Sequence, residues 1–154
     1  MMKSCFLFGH SDCPYAILPE LERRIEKAIT NNVTHFYVGN RGNFDHLAAA
    51  AVKHLKACYP AIRLYLLLAY HPAERPAEPS DGFDGTYYPL LEKVPRRYAI
   101  VRANEAMLRQ SDAVICYVNH PGNTRKLLSL AQKRREKGEL TLDNVATMDQ
   151  GPSI

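Results

Sequence analysis

At 154 residues, 46% hydrophobic and 23% charged, the chain has the balance of one globular domain, long enough to bury roughly 70% of its unfolded surface. A formal net charge of +4 is too small to indicate a nucleic-acid partner, the early run CFLF is too short for a secretion signal, and no run approaches the ~20 apolar residues of a membrane span. A cytoplasmic protein without membrane contact is therefore expected. Its four cysteines form no Cys-x-x-Cys pair, so neither a disulfide framework nor a zinc ribbon is signalled, and Cys5 and Cys116 read as buried strand residues.

In chain order, CFLF (5–8) predicts a buried strand ended by Gly9, His10 and Ser11. Leu21, Ile25, Ala28 and Ile29 then recur at helical spacing up to about Asn32, with Pro19 suited to a first turn. THFYV (34–38) predicts a second strand, and Phe44, Leu47, Ala48, Ala51, Val52 and Leu55 form the inner face of a second helix. Asn43 reads as its N-cap, with Asp45 complementing the helix dipole and accepting from its free N–H groups. IRLYLLL (62–68) predicts a third strand. From Ala69 to Gly85 the prolines predict a long loop, whose length suits a functional lid or disorder, and TYYPLLEKV suggests a short helix beyond it.

YAIV (98–101) reads as a short strand or extended approach, and Asn104 to Gln110 as helix. AVICYV (113–118) predicts a buried strand with Asp112 as its polar lead-in. PGNT then opens a basic helix running to about Lys137, stopped by Gly138, and LTLDNV adds an edge strand. The alternation predicts an α/β fold, a Rossmann-like doubly wound, mostly parallel sheet of five to six strands flanked by helices. One domain over 1–147 and a frayed tail over 148–154 are expected.

Ligands of such sheets lie beyond the carboxyl ends of the strands. Three of those ends carry glycine and small polar residues: Gly9-His10-Ser11, Gly39-Asn40-Arg41-Gly42-Asn43 and Pro121-Gly122-Asn123-Thr124. Glycine lets backbone approach a ligand, and N–H groups at a helix start can face an anion.

FGHSD, VGNRGNFDHLAAAAV, VRANEAMLRQSDAVICYV and PGNT resemble, in order and spacing, the successive motifs of the SLOG superfamily, above all its small YpsA-like branch, over about residues 4–146. The resemblance implies a Rossmann-like fold binding a nucleotide or a derivative such as ADP-ribose. The wider superfamily includes LOG-type phosphoribohydrolases and DprA-type proteins that bind single-stranded DNA. LOG-type enzymes carry an arginine where this chain has Ala103 and a glutamate where it has Leu127, while Ser11 replaces the branch's arginine and Asn40 a glycine. Cleaving an N-glycosidic bond needs a carboxylate to assist an oxocarbenium-like centre and activate water, which leucine cannot supply.

The expected ligand-binding residues are Gly9, His10, Ser11, Gly39, Asn40, Gly42, Asn43, Arg102, Asn104, Gly122, Asn123 and Thr124. Phosphate is expected at Gly122 to Thr124, sugar or base at Gly39, Asn40 and Gly42, and a ribose hydroxyl at Asn104. His10 would donate to phosphate or stack, and Arg102 would reach phosphate from a shifted backbone. Phe83, Tyr87 and Tyr88 are candidates for stacking on a base. The remaining histidines share no metal-ligand spacing, so neither metal nor cofactor is expected.

Three readings stand. The first is a binding or sensor protein for a nucleotide-like small molecule. The second is a nucleotide N-glycosidase, hydrolase or transferase, with Asp84 or Asp45 as its acid. The third, a single-stranded nucleic-acid binder using the basic C-terminal helix, lacks interleaved aromatic and basic residues. A homodimer is suggested only by analogy with relatives.

Overall fold

Alternation along the first strand decides where the cores lie. In β1 (Lys3–Gly9), Cys5 and Leu7 join one apolar cluster while Phe6 and Phe8 join the other, and all four are buried. Burial on both faces is what parallel sheets require. The structure is a computed structural model that describes residues 3–75, 82–91 and 93–146.

The other strands are β2 (Val33–Val38), β3 (Arg63–Leu67), β4 (Gly85–Tyr87), β5 (Ala113–Tyr117) and β6 (Thr141–Asn144). Every pairing is parallel, in the order β4-β3-β2-β1-β5-β6. This is a six-stranded α/β, Rossmann-like sheet. Helices α1 (Leu18–Thr30) and α2 (Asn43–Lys56) cover one face, and α3 (Ala99–Gln110) and α4 (Asn123–Glu136) the other. The chain steps outward from β1 to β4 and then returns to place β5 on the far side of β1. The order therefore reverses between β1 and β5, which opens a crevice beyond their carboxyl ends.

Most sequence expectations hold locally. Cys5 and Cys116 are buried, the six named apolar residues of α2 are all buried, and Gly138 ends α4 with φ +74°. Asp112 leads into β5, its carboxylate accepting from the Ser4 N–H at 2.9 Å. Pro19 lies in the first turn of α1.

Three local expectations are corrected. TYYPLLEKV contains no helix among its described residues: Gly85–Tyr87 pairs with β3 as an edge strand, and the Leu68 N–H donates to the Tyr87 carbonyl at 2.8 Å. YAIV is helical, because a 3₁₀ turn after Pro95 leads into α3, where Ala99, Ala103, Ala106 and Met107 form one buried stripe. That periodicity overrides the strand preference of Ile100 and Val101. Asn43 is the first residue of α2, and Gly42 occupies the N-cap. Residues 76–81 of the proline-rich loop and the tail 148–154 lie outside the described residues.

Two glycines at the rim are required by packing. A Cβ on Gly9 would stand 2.5 Å from the Phe44 ring, and one on Gly42 would stand 2.5 Å from the Ser11 Cα. At Gly42 the obstacle is backbone and cannot rotate away. Gly42→Ala is expected to lower stability by about 1–3 kcal/mol, the usual cost of overpacking, seen as a lower urea midpoint with an unchanged slope.

Candidate functional site

Residues 10 and 11 join the three rim loops. The Asn43 N–H donates to the Ser11 carbonyl at 3.0 Å and the Phe44 N–H to the His10 carbonyl at 3.4 Å, so backbone acceptors already serve the start of α2. The His10 N–H donates to the Tyr117 carbonyl at 3.1 Å, tying the same loop to β5. Buried His10 then accepts at Nε2 from the N–H groups of Asn119 (2.9 Å) and His120 (3.2 Å). These bonds hold the segment that leads into α4.

The start of α4 differs from that of α2. Neither glycine N-cap brings a side-chain cap, but the first turn of α4 holds no acidic residue where α2 has Asp45, and among the described residues no carbonyl from another segment accepts from its first amides. Its first N–H groups therefore carry the partial positive charge of a helix start. Gly122 itself has φ +143°, a backbone state that side chains rarely adopt.

Between α4, α3 and the ends of β1 and β2 lies a cavity of about 270 Å³. Its floor is apolar, formed by Phe6, Phe8, Leu67 and Ala69, with Ile100, Ala103 and Leu127 on the helical walls. Asn123, Thr124 and Lys126 line the α4 side, Asn104 and Glu105 the α3 side, and Gly39, Arg41 and Asp45 the β2 side. Among the described residues, two cations and two carboxylates thus line one space.

Asp45 is only 9% exposed. Its Oδ2 accepts from the Arg41 N–H at 2.8 Å, rather than from the helix as the sequence suggested. Gly39 makes room for it, since a Cβ there would lie 3.1 Å from that oxygen. Burial raises the Asp45 pKa from the ordinary 3.8 to about 6, partly countered by the Arg41 N–H.

Of the expected ligand residues, Gly9, Ser11, Gly39, Asn104, Asn123 and Thr124 line this cavity. His10, Asn40, Gly42, Asn43, Arg102 and Gly122 are not in its lining. His10 and Gly42 build the rim from behind. Asn43 anchors its loop, its amide donating to the Cys13 carbonyl (3.3 Å) and accepting from the Tyr15 hydroxyl (3.2 Å). Arg102 is exposed and pairs with Glu105 at 2.7 Å. Asn104 sits inside α3, away from its cap. Phe83, Tyr87 and Tyr88 also lie outside the lining; Phe83 packs under the Lys53 ammonium, and Tyr87 donates to Gln110 at 2.7 Å.

Asp84 lies at the opposite end of the sheet. It precedes β4, accepts from the Leu64 N–H at 2.8 Å, and pairs with Lys56. Sequence reasoning included Arg41 and Glu105 within the quoted motifs but gave neither a site role. The signal available was their place in VGNRGNFDHLAAAAV and VRANEAMLRQSDAVICYV.

The fold now has recognised counterparts. No family model matches the chain, and no curated protein matches it in sequence. Among solved structures, it superposes on DNA processing protein A (DprA) from Streptococcus pneumoniae with a TM-score of 0.60 and 11% identity, covering 99% of this chain and 62% of that one. It also superposes on the Moco carrier protein from Chlamydomonas reinhardtii with a TM-score of 0.55 and 15% identity, covering 98% and 86%. The chain shares the α/β fold of these two proteins. This chain spans less than two thirds of the DprA chain, and the likeness at these identities concerns the fold.

Within this fold, His10, Asp12 and His120 bring candidate metal-ligand atoms within 4.8 Å of one another, a proximity that sequence spacing could not show. The donor set does not suit a metal ion. Nε2 of His10 already accepts two N–H bonds, which leaves the proton of the neutral ring on Nδ1. The His10 and His120 rings also stack face to face at 3.5 Å. His10 therefore stacks, one of its two expected roles, but on protein. Burial and the neighbouring His120 hold its pKa below 6.5, while the Asp12 carboxylate raises that of His120.

Among the described residues, no helix is long and apolar enough to cross a membrane.

The folded protein binds more protons at Asp45 than the unfolded chain between pH 3.8 and about 6, so this group makes stability fall as pH rises through that window. His10 acts oppositely, contributing stability above pH 6.5 that is lost as pH falls through its lowered pKa. Comparing Asp45→Asn with the parent at each pH isolates the first effect. At pH 7.5 the variant should be more stable by up to about 3 kcal/mol, at roughly 1.4 kcal/mol per tenfold shift in the proton equilibrium. The gain should vanish near pH 4, and chemical denaturation at the two pH values measures it.

Proposed function

We propose that the protein binds a phosphorylated, nucleotide-type small molecule in the cavity between β1, β2, α3 and α4, without turning it over. The observation that carries this reading is the contrast between two helix starts on one rim. The first donors of α2 are met by the His10 and Ser11 carbonyls, whereas among the described residues no carbonyl from another segment meets those of α4, which starts beside Lys126 and against an apolar cavity. An anionic group at Asn123 and Thr124 would complete that arrangement, worth roughly 1–2 kcal/mol from the helix start alone in a partly buried setting.

Size narrows the ligand. Sites for drug-sized molecules run from roughly 300 to 1,000 Å³, and about 270 Å³ suits one nucleotide unit. An ADP-ribose would extend beyond the mouth.

Binding without turnover is favoured by what the walls lack. Ala103 and Leu127, which stand where LOG-type hydrolases carry their arginine and glutamate, both line the cavity and are apolar. Of the carboxylates weighed as acids, Asp84 is at the wrong end of the sheet, and Asp45 alone reaches the cavity. A nucleic-acid surface is less favoured. Arg134, central to the basic run, donates to the Leu108 and Ser111 carbonyls and pairs with Glu139 at 3.1 Å, so it serves the α3–α4 packing. The structural counterparts point to no single ligand, one being named for DNA processing and the other as a carrier.

AMP at about 100 times its Kd should stabilise the protein by about 2.7 kcal/mol, several degrees in a thermal-shift measurement. Gly122→Asp, which sets a carboxylate at the open start of α4, should weaken AMP at least ~10-fold, a loss of about 1.4 kcal/mol. Gly122→Asn imposes the same backbone strain without the charge and should retain more binding. A screen of nucleoside mono- and diphosphates and ADP-ribose in which none shifts the melting temperature would overturn the reading.

A further inference from the structure

The two carboxylates in the cavity call for a partner that phosphate cannot be. Asp45 is more than nine-tenths buried, and among the described residues only its Oδ2 is engaged, by the Arg41 N–H. No fully buried side-chain oxygen among those residues lacks a partner, so Oδ1 keeps some exposure, and Asp45 lines the cavity. A buried carboxylate is kept with a free acceptor at a cost in stability unless something donates to it. Across the cavity, Glu105 lines the α3 wall, three-quarters covered and oriented by its 2.7 Å pair with Arg102.

The character of the missing donor follows from its surroundings. A ligand ammonium would sit beside Arg41, which lines the same wall, and would meet Lys126 across the space. Like charges at that range repel. Neutral hydroxyl groups meet no such opposition and can donate to a carboxylate at either wall. The apolar floor of Phe6, Phe8 and Leu67 offers no competing acceptor from its side chains.

We propose that Asp45, aided by Glu105, reads sugar hydroxyls, so that the site selects a phosphorylated ribose unit over phosphates that lack a free vicinal diol. The inference rests on the ligand-binding reading above and names the substrate class of that site. Phosphate at the α4 start and a diol at Asp45 would fix the sugar by its two ends. Arg41 would hold Asp45 from behind by its backbone, and Arg102 would act only through Glu105 as a positioning residue. A site built around a hydrogen bond to a hydroxyl discriminates strongly, because the analogue lacking it leaves a buried acceptor unpaired.

The test compares AMP with 2′,3′-dideoxy-AMP, which keeps base and phosphate and lacks both hydroxyls, by titration calorimetry at pH 7.5. AMP should bind the parent protein at least ~10-fold tighter, the least that one lost hydrogen bond to a charged group costs. Asp45→Ala should bring the ratio close to one while leaving the dideoxy analogue nearly unaffected. Glu105→Gln, a milder change on a helix surface, should reduce the ratio partially and serves if Asp45→Ala does not fold. Equal affinities in the parent protein would overturn the inference and leave nucleotide binding standing. So would a ratio that persists unchanged in Asp45→Ala, or in Glu105→Gln where that variant has to serve. Binding of neither nucleotide would overturn both.

Discussion

The rim is organised by the docking of the α2 start onto the carbonyls of His10 and Ser11. That contact requires backbone to approach backbone at Gly42, where a single Cβ would meet Ser11 Cα at 2.5 Å, and ring to approach backbone at Gly9. It also decides which helix start faces outward unserved. With Asn43 and Phe44 already donating inward, the α2 start has little left to offer an anion.

The same two residues reach across the switch in strand order. His10 is tied by its N–H to β5 and by Nε2 to the loop before α4, and its ring lies on His120. A histidine after the first strand looks like a phosphate ligand in a sequence, yet here its lone pair is directed at backbone. Its function is to set the distance between the β1 loop and the α4 start, on either side of the cavity mouth. Glycine and histidine at this rim are therefore architectural first, and the polar groups that line the cavity include Asp45, Glu105 and Lys126.

Charge burial separates function from stability at Asp45. A carboxylate with a pKa near 6 at the wall of a largely apolar cavity weakens the fold at neutral pH. The chain nevertheless clears space for it at Gly39 and supports it from Arg41. Such a group is better explained by what enters the cavity than by what the protein gains in its absence, in line with the general tension between stability and binding sites.

The sequence by itself determined the α/β class, the parallel alternation, the faces of α1 and α2, and the three rim loops, because periodicity and glycine placement are local signals. It also turned attention from the α2 start to that of α4, though for a reason that tertiary structure replaced: the donors of α2 are met by carbonyls from the β1 loop, and Asp45 turns to Arg41. Where helical periodicity competed with strand propensity, at Tyr98 to Val101, the longer pattern won; where a chain segment borrowed its structure from a neighbour, at Gly85 to Tyr87, no local signal existed. Only the fold could remove Asp84 to the far end of the sheet, direct Arg102 to Glu105, stack His10 on His120 across 110 positions of chain, and gather Arg41, Asp45, Glu105 and Lys126 around one space. Those relations depend on long-range packing, which brings together residues that no spacing in the sequence relates.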